Sequence, residues 1–247
     1  MILDRVTLTG ADDSVDVKEL IPLSRDYPFA EWGILFSGRR LGMPRYPSRA
    51  WLAELERLMW QVPMRLSAHL CGRWVRDLVT GGKFTWKDEH AMEEKHFQRV
   101  QLNFHGEFHR RCMAFEQILM TDAPLCESSS GGRQFILQCD GVNDPAAKDW
   151  ANIADAVPLF DQSGGAGIVP GEWPKAWPGV YCGYAGGLGP DNLAEQLPRI
   201  ELAAGDERVW IDMERKVRSE DDCKFDLEKV RRVLDTVRPW VKEVTRK

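Results

Sequence analysis

Eight short apolar runs alternate with longer amphipathic segments along the whole sequence. Apolar runs of this length, joined by segments of helical periodicity, predict parallel β-strands connected by helices. Eight such units in 247 residues predict a single α/β domain, residues 1–247, with the (β/α)8 or TIM barrel fold. The predicted strands are 5–10, 32–38, 64–72, 99–106, 133–140, 155–161, 179–187 and 208–214.

Helical spacing is clearest in residues 47–61, where Trp51, Leu52, Leu55 and Leu58 fall on one face. The alternative architecture is a doubly wound open sheet. That fold would favour a G-x-G-x-x-G turn after the first strand, and the sequence TGADDS at residues 9–14 lacks it. The other predicted helices are 14–23, 73–82, 90–98, 107–120, 144–154, a weak one near Trp173, 190–203 and 226–244, and 122–132 is predicted to be a polar loop.

Composition excludes several classes of protein. A net charge of −5 argues against a nucleic-acid partner, because neutralising phosphates requires a basic face. No stretch approaches the ~18 apolar residues of a membrane span, and Asp4 and Arg5 interrupt any signal-peptide core. Six scattered cysteines without a C-x-x-C pair indicate reduced thiols. We therefore expect a cytoplasmic protein that binds neither membranes nor nucleic acid.

The stretch VPLFDQSGGAGIVPGEWP places a carboxylate, Asp161, at the end of the sixth strand and a glycine-rich loop after it. The carboxyl ends of barrel strands form the mouth where active sites lie. Glycines such as Gly165 allow the backbone to approach a ligand closely. Asp161 is therefore a candidate active-site residue, and the alternative is a solvated strand-end Asp with a flexible loop.

A second glycine pair, Gly186 and Gly187, follows the seventh strand in the sequence AGGLGPDN. Glycines there expose backbone N–H groups, and Pro190 suits the first position of the next helix. Free amides next to a helix N-terminus bind anions, and barrel phosphate sites commonly follow strands seven and eight. The pattern favours a phosphate site over a plain glycine turn.

Arginines follow the second strand in SGRRLGMPRY. A guanidinium pairs bidentately with carboxylate or phosphate. Arg45, between Pro44 and Tyr46, is the stronger candidate for ligand contact, whereas Arg39 and Arg40 suit a solvated loop.

No metal or cofactor is predicted. His105 and His109 stand four residues apart, but no third ligand has suitable spacing. His90 and His96 suit a solvated helix, and Cys182 suits a small buried apolar residue.

The order of these motifs resembles phosphoribosylanthranilate isomerase over nearly the whole chain. The similar stretches are RVTLTGADD, ILFSGRRLGMPRY, VQLNFHGE, LFDQSGGAGIVPGEWP, YAGGLGPDNLAE and FDLEKVRRVLDTVR. The resemblance implies an Amadori rearrangement of a phosphorylated aminosugar in tryptophan biosynthesis. It further implies that Asp161 is the general acid, that Arg45 contacts the substrate carboxylate, and that Gly186 and Gly187 hold the phosphate.

Two positions depart from that family. Thr9 stands where the family has its cysteine base, and a lone hydroxyl is a poor base near neutral pH. Glu214, Arg215 and Lys216 replace small residues whose amides hold phosphate; either cation can substitute by direct charge.

Three functions are therefore open. The first is an enzyme acting on a phosphorylated sugar or related anion, with Asp161 and either Glu214 or Asp212 as proton-transfer groups. The second is the family's own reaction with Thr9 in the place of cysteine. The third is a metabolite-binding barrel without catalysis. The sequence does not predict the oligomeric state.

Overall fold

Eight parallel strands close into a barrel in the computed structural model of the protein, in the order β1 to β8 with β8 paired to β1. The structure describes residues 1–72, 74–75, 92, 96–103, 134–141, 144, 147–148 and 156–242. The closed barrel confirms the predicted (β/α)8 fold and excludes the open sheet. The strands are β1 Ile2–Thr9, β2 Ala30–Phe36, β3 Arg65–Cys71, β4 Arg99–Asn103, β5 Gln134–Cys139, β6 Ala156–Phe160, β7 Cys182–Tyr184 and β8 Arg208–Met213.

The described helices are α1 Val17–Asp26, α2 Arg49–Leu58, α3 Leu193–Ala204 and α4 Leu227–Val237, with short 3-10 turns at Met59–Gln61, Arg215–Val217 and Arg238–Trp240. Side-chain caps fix three of the helix starts: Asp16, Ser48 and Asp226 each accept a hydrogen bond from a backbone N–H of the first turn. In the described part of the chain, no helix combines the length and apolar character that crossing a bilayer requires.

Three local predictions are wrong. The region around Trp173 contains no helix, because the Trp173 indole is buried and donates a hydrogen bond to Gln196 Oε1 at 3.0 Å, which anchors an irregular segment. Helix α3 begins at Leu193, so Pro190 lies in the preceding turn. His96 is buried with its Nε2 2.8 Å from Glu56 Oε1, not solvated.

Other predictions fall wholly or largely outside the described residues. They are the helices 73–82, 90–98, 107–120 and 144–154, the loop 122–132, the end of the fourth strand after residue 103, and the residues His90, His105 and His109.

The interior of the barrel is mainly apolar on one side and mainly polar on the other. Alternate residues of each strand point inward, and a separate apolar cluster of Ile136, Val157, Leu159, Ala185 and Trp210 fills the side formed by β5 to β8. The side formed by β1 to β4 instead buries polar residues, namely Thr7, Thr9, Glu31, Ser67, His69, Arg99 and Gln101. Branched aliphatic residues dominate an ordinary barrel interior, so this polar half is a departure that requires its own internal pairing.

Glu31 is the centre of that pairing. Its carboxylate accepts hydrogen bonds from Arg99 at 2.6 Å, Arg5 at 2.8 Å and Thr7 at 2.9 Å. Burial alone would raise the pKa of Glu31, but the charges of Arg99 and Arg5 outweigh it and lower the pKa to about 2. Glu31 is therefore an ionised carboxylate inside the barrel.

Glu31 is expected to make the free energy of unfolding of the barrel depend on pH in the acidic range. Because its folded pKa of about 2 lies below the ordinary value of 4.5, its contribution is complete above about pH 4.5 and is lost as the pH falls towards 2. The contribution is about 3 kcal/mol of unfolding free energy. Urea titrations at a series of pH values, compared between wild type and Glu31→Gln, measure it. Equal pH slopes in the two proteins below pH 4.5 would contradict this expectation.

Candidate active site

A cavity of about 410 Å³ opens at the carboxyl ends of the strands. Residues from the ends of β2, β3, β4, β5, β6 and β8, and from the loops after β2, β6, β7 and β8, line it. The predicted site residues Asp161, Gly165, Gly186, Gly187, Glu214, Arg215 and Lys216 all lie in this lining, together with Asp212. The structure therefore brings together residues from loops that are more than 50 positions apart in the sequence.

One end of the cavity is formed by backbone amides. Gly186 and Gly187 have φ values of 108° and 68°, a conformation that glycine adopts without strain. In the described part of the chain, the N–H groups of Gly186, Gly187 and Leu188 have no hydrogen-bond acceptor. Asn192 fixes the turn, since its side chain donates to Gly187 O and accepts from Gly189 N, both at 2.9 Å. Successive free amides in this conformation form an anion-binding concavity.

Two cations flank these amides. A Cβ atom at Gly189 would lie 2.3 Å from the Lys216 Cβ, and one at Gly167 would lie 3.4 Å from the Arg215 Cδ, so both side chains lie against glycine turns. Arg215 and Lys216 are exposed, and neither forms a salt bridge with a described carboxylate. We call the three amides of residues 186–188 and these two cations the anion end.

Asp161 lies beside the anion end, only 5% exposed. Its Oδ2 accepts hydrogen bonds from Gln138 Nε2 and Gly165 N, both at 2.8 Å, and its Oδ1 accepts one from Ser163 Oγ at 2.7 Å. A Cβ atom at Gly186 would lie 3.4 Å from Asp161 Oδ1. The carboxylate therefore holds the glycine loop in place and keeps Oδ1 close to the anion end.

Arg45 is held by acidic residues and is not among the residues that line the cavity. Its Nε donates to Asp222 Oδ2 at 2.6 Å, and its Nη1 is paired with Glu214. Burial raises the pKa of Glu214, and the nearby charge of Arg45 opposes this shift. The cavity wall contains Arg40 in place of Arg45, with its Nη1 3.4 Å from Tyr46 Oη.

Thr9 lies inside the barrel, fully buried, and does not line the cavity. Its hydroxyl donates a hydrogen bond to Asp212 Oδ1 at 3.1 Å. Asp212 does line the cavity, and its Oδ2 has no partner in the described part of the structure. Burial, reinforced by the charge of Glu214, raises the pKa of Asp212 well above its ordinary value. Thr9 is therefore linked to the cavity through its hydrogen bond to Asp212.

Several polar residues of the lining were not predicted, among them His69, Cys71, Gln101, Asn103 and Gln138. Their signal was present, because each is a polar residue or cysteine at an inward-facing position near the carboxyl end of an apolar strand. Burial lowers the pKa of His69 to about 3, so its imidazole is neutral. Burial raises the pKa of Cys71 to about 11, so its thiol is protonated and weakly nucleophilic.

Comparison of structures identifies a similar fold, whereas the two sequence comparisons identify no match. No protein-family model matches the chain, and no curated protein matches it in sequence. Among solved structures, the chain is similar to a truncated form of 3-deoxy-D-arabino-heptulosonate 7-phosphate synthase from Thermotoga maritima, with a TM-score of 0.56 and 10% sequence identity over 97% of this chain and 86% of that one. At this identity the likeness shows a shared barrel fold alone.

Proposed function

We propose that this chain is an enzyme that binds a small phosphorylated metabolite, a sugar phosphate or a related anion, in the cavity at the barrel mouth. The phosphate occupies the anion end, and the rest of the molecule extends towards Asp161 and Asp212. The reaction is an acid–base isomerisation of the aldose–ketose type, for which Asp161 transfers one of the protons. The observation that carries the proposal is the set of unpaired amides at residues 186–188 next to Arg215 and Lys216.

The chemistry of the anion end supports a phosphate in particular. A phosphoryl group presents several acceptor oxygens, which suit the three N–H donors and the two cations. The similar barrel is named for a 7-phosphate compound, which agrees with the proposal.

The position of Asp161 supports proton transfer near the bound phosphate. Oδ2 accepts two hydrogen bonds and Oδ1 only one, so Oδ1 retains a lone pair. A substrate anchored by its phosphate beside Gly186 would have its carbon chain close to this oxygen. General acid–base groups must lie within hydrogen-bond reach of the proton they transfer.

A non-catalytic binder is the second candidate. The observation that favours it is the involvement of Asp161, Glu214 and Thr9 in internal hydrogen bonds. Binding of phosphorylated sugars without turnover of any of them would support this alternative, whereas turnover that Asp161→Asn removes would support the enzyme.

Replacing Arg215 and Lys216 with Ala is expected to weaken binding of inorganic phosphate roughly 100-fold. Each charge-assisted contact contributes about 1.5 kcal/mol, and 1.4 kcal/mol corresponds to about tenfold in affinity. Isothermal titration calorimetry measures the constants at one fixed ionic strength, because exposed charges are screened by salt.

The matched controls for this test are Lys175→Ala and Arg231→Ala, which remove exposed cations that do not line the cavity. Both are expected to bind phosphate like the wild type. Failure of the wild type to bind phosphate, or equal weakening by the controls, would overturn the proposal.

A further inference from the structure

Two unpartnered polar atoms face each other at the floor of the cavity. Asp212 Oδ2 and His69 Nε2 are 3.9 Å apart, too far for a hydrogen bond, and neither has a partner in the described part of the structure. The side chains of Asp212 and His69 are 7% and 1% exposed, and both residues line the cavity. An unpaired buried polar group destabilises a protein by about 1–3 kcal/mol, so this pair indicates a place where a ligand atom completes the pairing.

Gly33 makes this arrangement possible. A Cβ atom at Gly33 would lie 2.3 Å from Thr9 Oγ1 and 2.9 Å from His69 Nε2. The missing side chain on β2 therefore lets Thr9 from β1 and His69 from β3 approach each other beneath the cavity. With Thr9 in this position, its hydroxyl donates to Asp212 Oδ1 and leaves Oδ2 as the free oxygen.

We propose that Asp212 is the second proton-transfer residue of the site and that Thr9 is its positioning residue. This inference rests on the proposed function, because it assigns the acid that works opposite Asp161. The second proton-transfer residue then lies on β8. Thr9 stands where the resembling family has its base, and here it orients Asp212 through one hydrogen bond.

The surroundings of Asp212 favour the protonated acid. The titratable and charged groups around it are Glu214 on the same strand end, His69 on β3, and Glu31 and Arg99 deeper in the barrel. Burial and the charge of Glu214 raise the pKa of Asp212, while the hydrogen bond from Thr9 and the charge of Arg99 oppose this. Since burial keeps His69 neutral, no imidazolium is present to ionise Asp212.

The isomerisation then balances without a cofactor. Asp161 takes a proton from the carbon next to the substrate carbonyl; the C–H electrons form the C=C bond of an enediol. The carbonyl π electrons move to oxygen, which takes the proton of Asp212. In the second half, Asp161 returns its proton to the former carbonyl carbon and the neighbouring hydroxyl gives its proton to Asp212, so that both carboxyl groups are restored. The Thr9 hydroxyl stabilises the intermediate Asp212 carboxylate.

The test measures proton exchange and carboxyl titration separately from phosphate binding. Wild type, Asp212→Asn, Thr9→Val and Thr9→Ser are incubated in D2O with dihydroxyacetone phosphate and ribulose 5-phosphate, and NMR follows deuterium incorporation next to the carbonyl. We expect Asp212→Asn to reduce exchange by about 10²- to 10⁴-fold and Thr9→Val by about tenfold, while Thr9→Ser, which keeps the hydroxyl, stays near wild type. Asp206→Asn is the matched control, because Asp206 is exposed and precedes β8 at the opposite end of the strand.

Carbon-13 NMR of aspartate-labelled protein supplies the second measurement. The Asp212 carboxyl, identified by its loss in Asp212→Asn, is expected to titrate well above the range of an exposed aspartate, and Thr9→Val is expected to raise its pKa further. Titration of Asp212 in the range of an exposed aspartate, exchange in Asp212→Asn equal to wild type, or no exchange in wild type with either ketose would overturn the assignment. Failure of the wild type to bind inorganic phosphate would instead overturn the proposed function itself.

Discussion

Arg99→Met is expected to lower the free energy of unfolding by about 3–5 kcal/mol, the range for breaking a buried ion pair by removing one partner. Arg99 and Glu31 are 1% and 0% exposed in their side chains and lie 2.6 Å apart. The variant removes the bidentate guanidinium and leaves the Glu31 carboxylate with Arg5 and Thr7 alone. Met is shorter than Arg by most of the guanidinium group, so the loss of charge pairing is accompanied by a cavity at this fully buried position. Equilibrium urea unfolding followed by circular dichroism measures the difference.

The matched control is Arg57→Met. Arg57 pairs with Glu54 at 2.6 Å, the same distance, but the Arg57 side chain is 61% exposed. Exposed pairs of this kind contribute very little to stability because solvent screens them, so the control is expected to be almost neutral. A loss in Arg99→Met no larger than in Arg57→Met would show that Glu31 does not depend on its partner. The double variant Glu31→Gln with Arg99→Met is expected to lose less than the sum of its single variants, because no unpaired carboxylate remains.

The sequence was sufficient to predict the barrel because the signal is repeated eight times. Each apolar run alone is ambiguous between a strand and a buried helix segment. The regular alternation along the chain removes that ambiguity, and the missing G-x-G-x-x-G turn after the first strand favours the barrel over a doubly wound open sheet. The same logic placed Asp161 and Gly186 at the mouth, because the carboxyl ends of parallel strands share one rim.

The partners of individual side chains were not predictable. Arg45 is 177 positions from Asp222 and 169 from Glu214, and nothing near it in the sequence indicates either carboxylate. The Thr9–Asp212 hydrogen bond spans 203 positions and depends on the closing of β8 onto β1. Loops set such pairings through conformations that have no periodic signal.

The polar half of the barrel could not be predicted from the sequence for a different reason. Glu31 and Arg99 lie at strand positions whose alternation predicts an inward direction, but an inward charge in a strand conflicts with the expectation of an apolar interior. The conflict is resolved only when both residues are known to meet each other, and sequence order does not reveal that contact. The weak helix near Trp173 failed for a related reason, since one long-range hydrogen bond to Gln196 outweighs local propensity.

Gly187→Ala is expected to lower the free energy of unfolding by about 3 kcal/mol and to abolish phosphate binding. Gly187 has a φ of 68°, and an added Cβ would lie 2.7 Å from both Gly167 O and Val169 N. The left-handed conformation contributes about 1–2 kcal/mol of this loss, and overpacking contributes about 1–3 kcal/mol. Because Gly167 O and Val169 N are backbone atoms, the clash is relieved only if the loop after β6 moves away from the turn after β7. That movement would separate the amides at residues 186–188 from Arg215, which lies against Gly167.

Gly179→Ala separates the two contributions to this loss. Gly179 has nearly the same φ, 73°, but an added Cβ there meets nothing within 4 Å. It is therefore expected to lose only the conformational part, about 1–2 kcal/mol, and to bind inorganic phosphate like the wild type. Urea unfolding and calorimetry of both variants measure the two quantities. If Gly187→Ala bound phosphate as tightly as Gly179→Ala, the close approach of the two glycine loops would not form the anion end, and the phosphate would have to be placed elsewhere in the cavity.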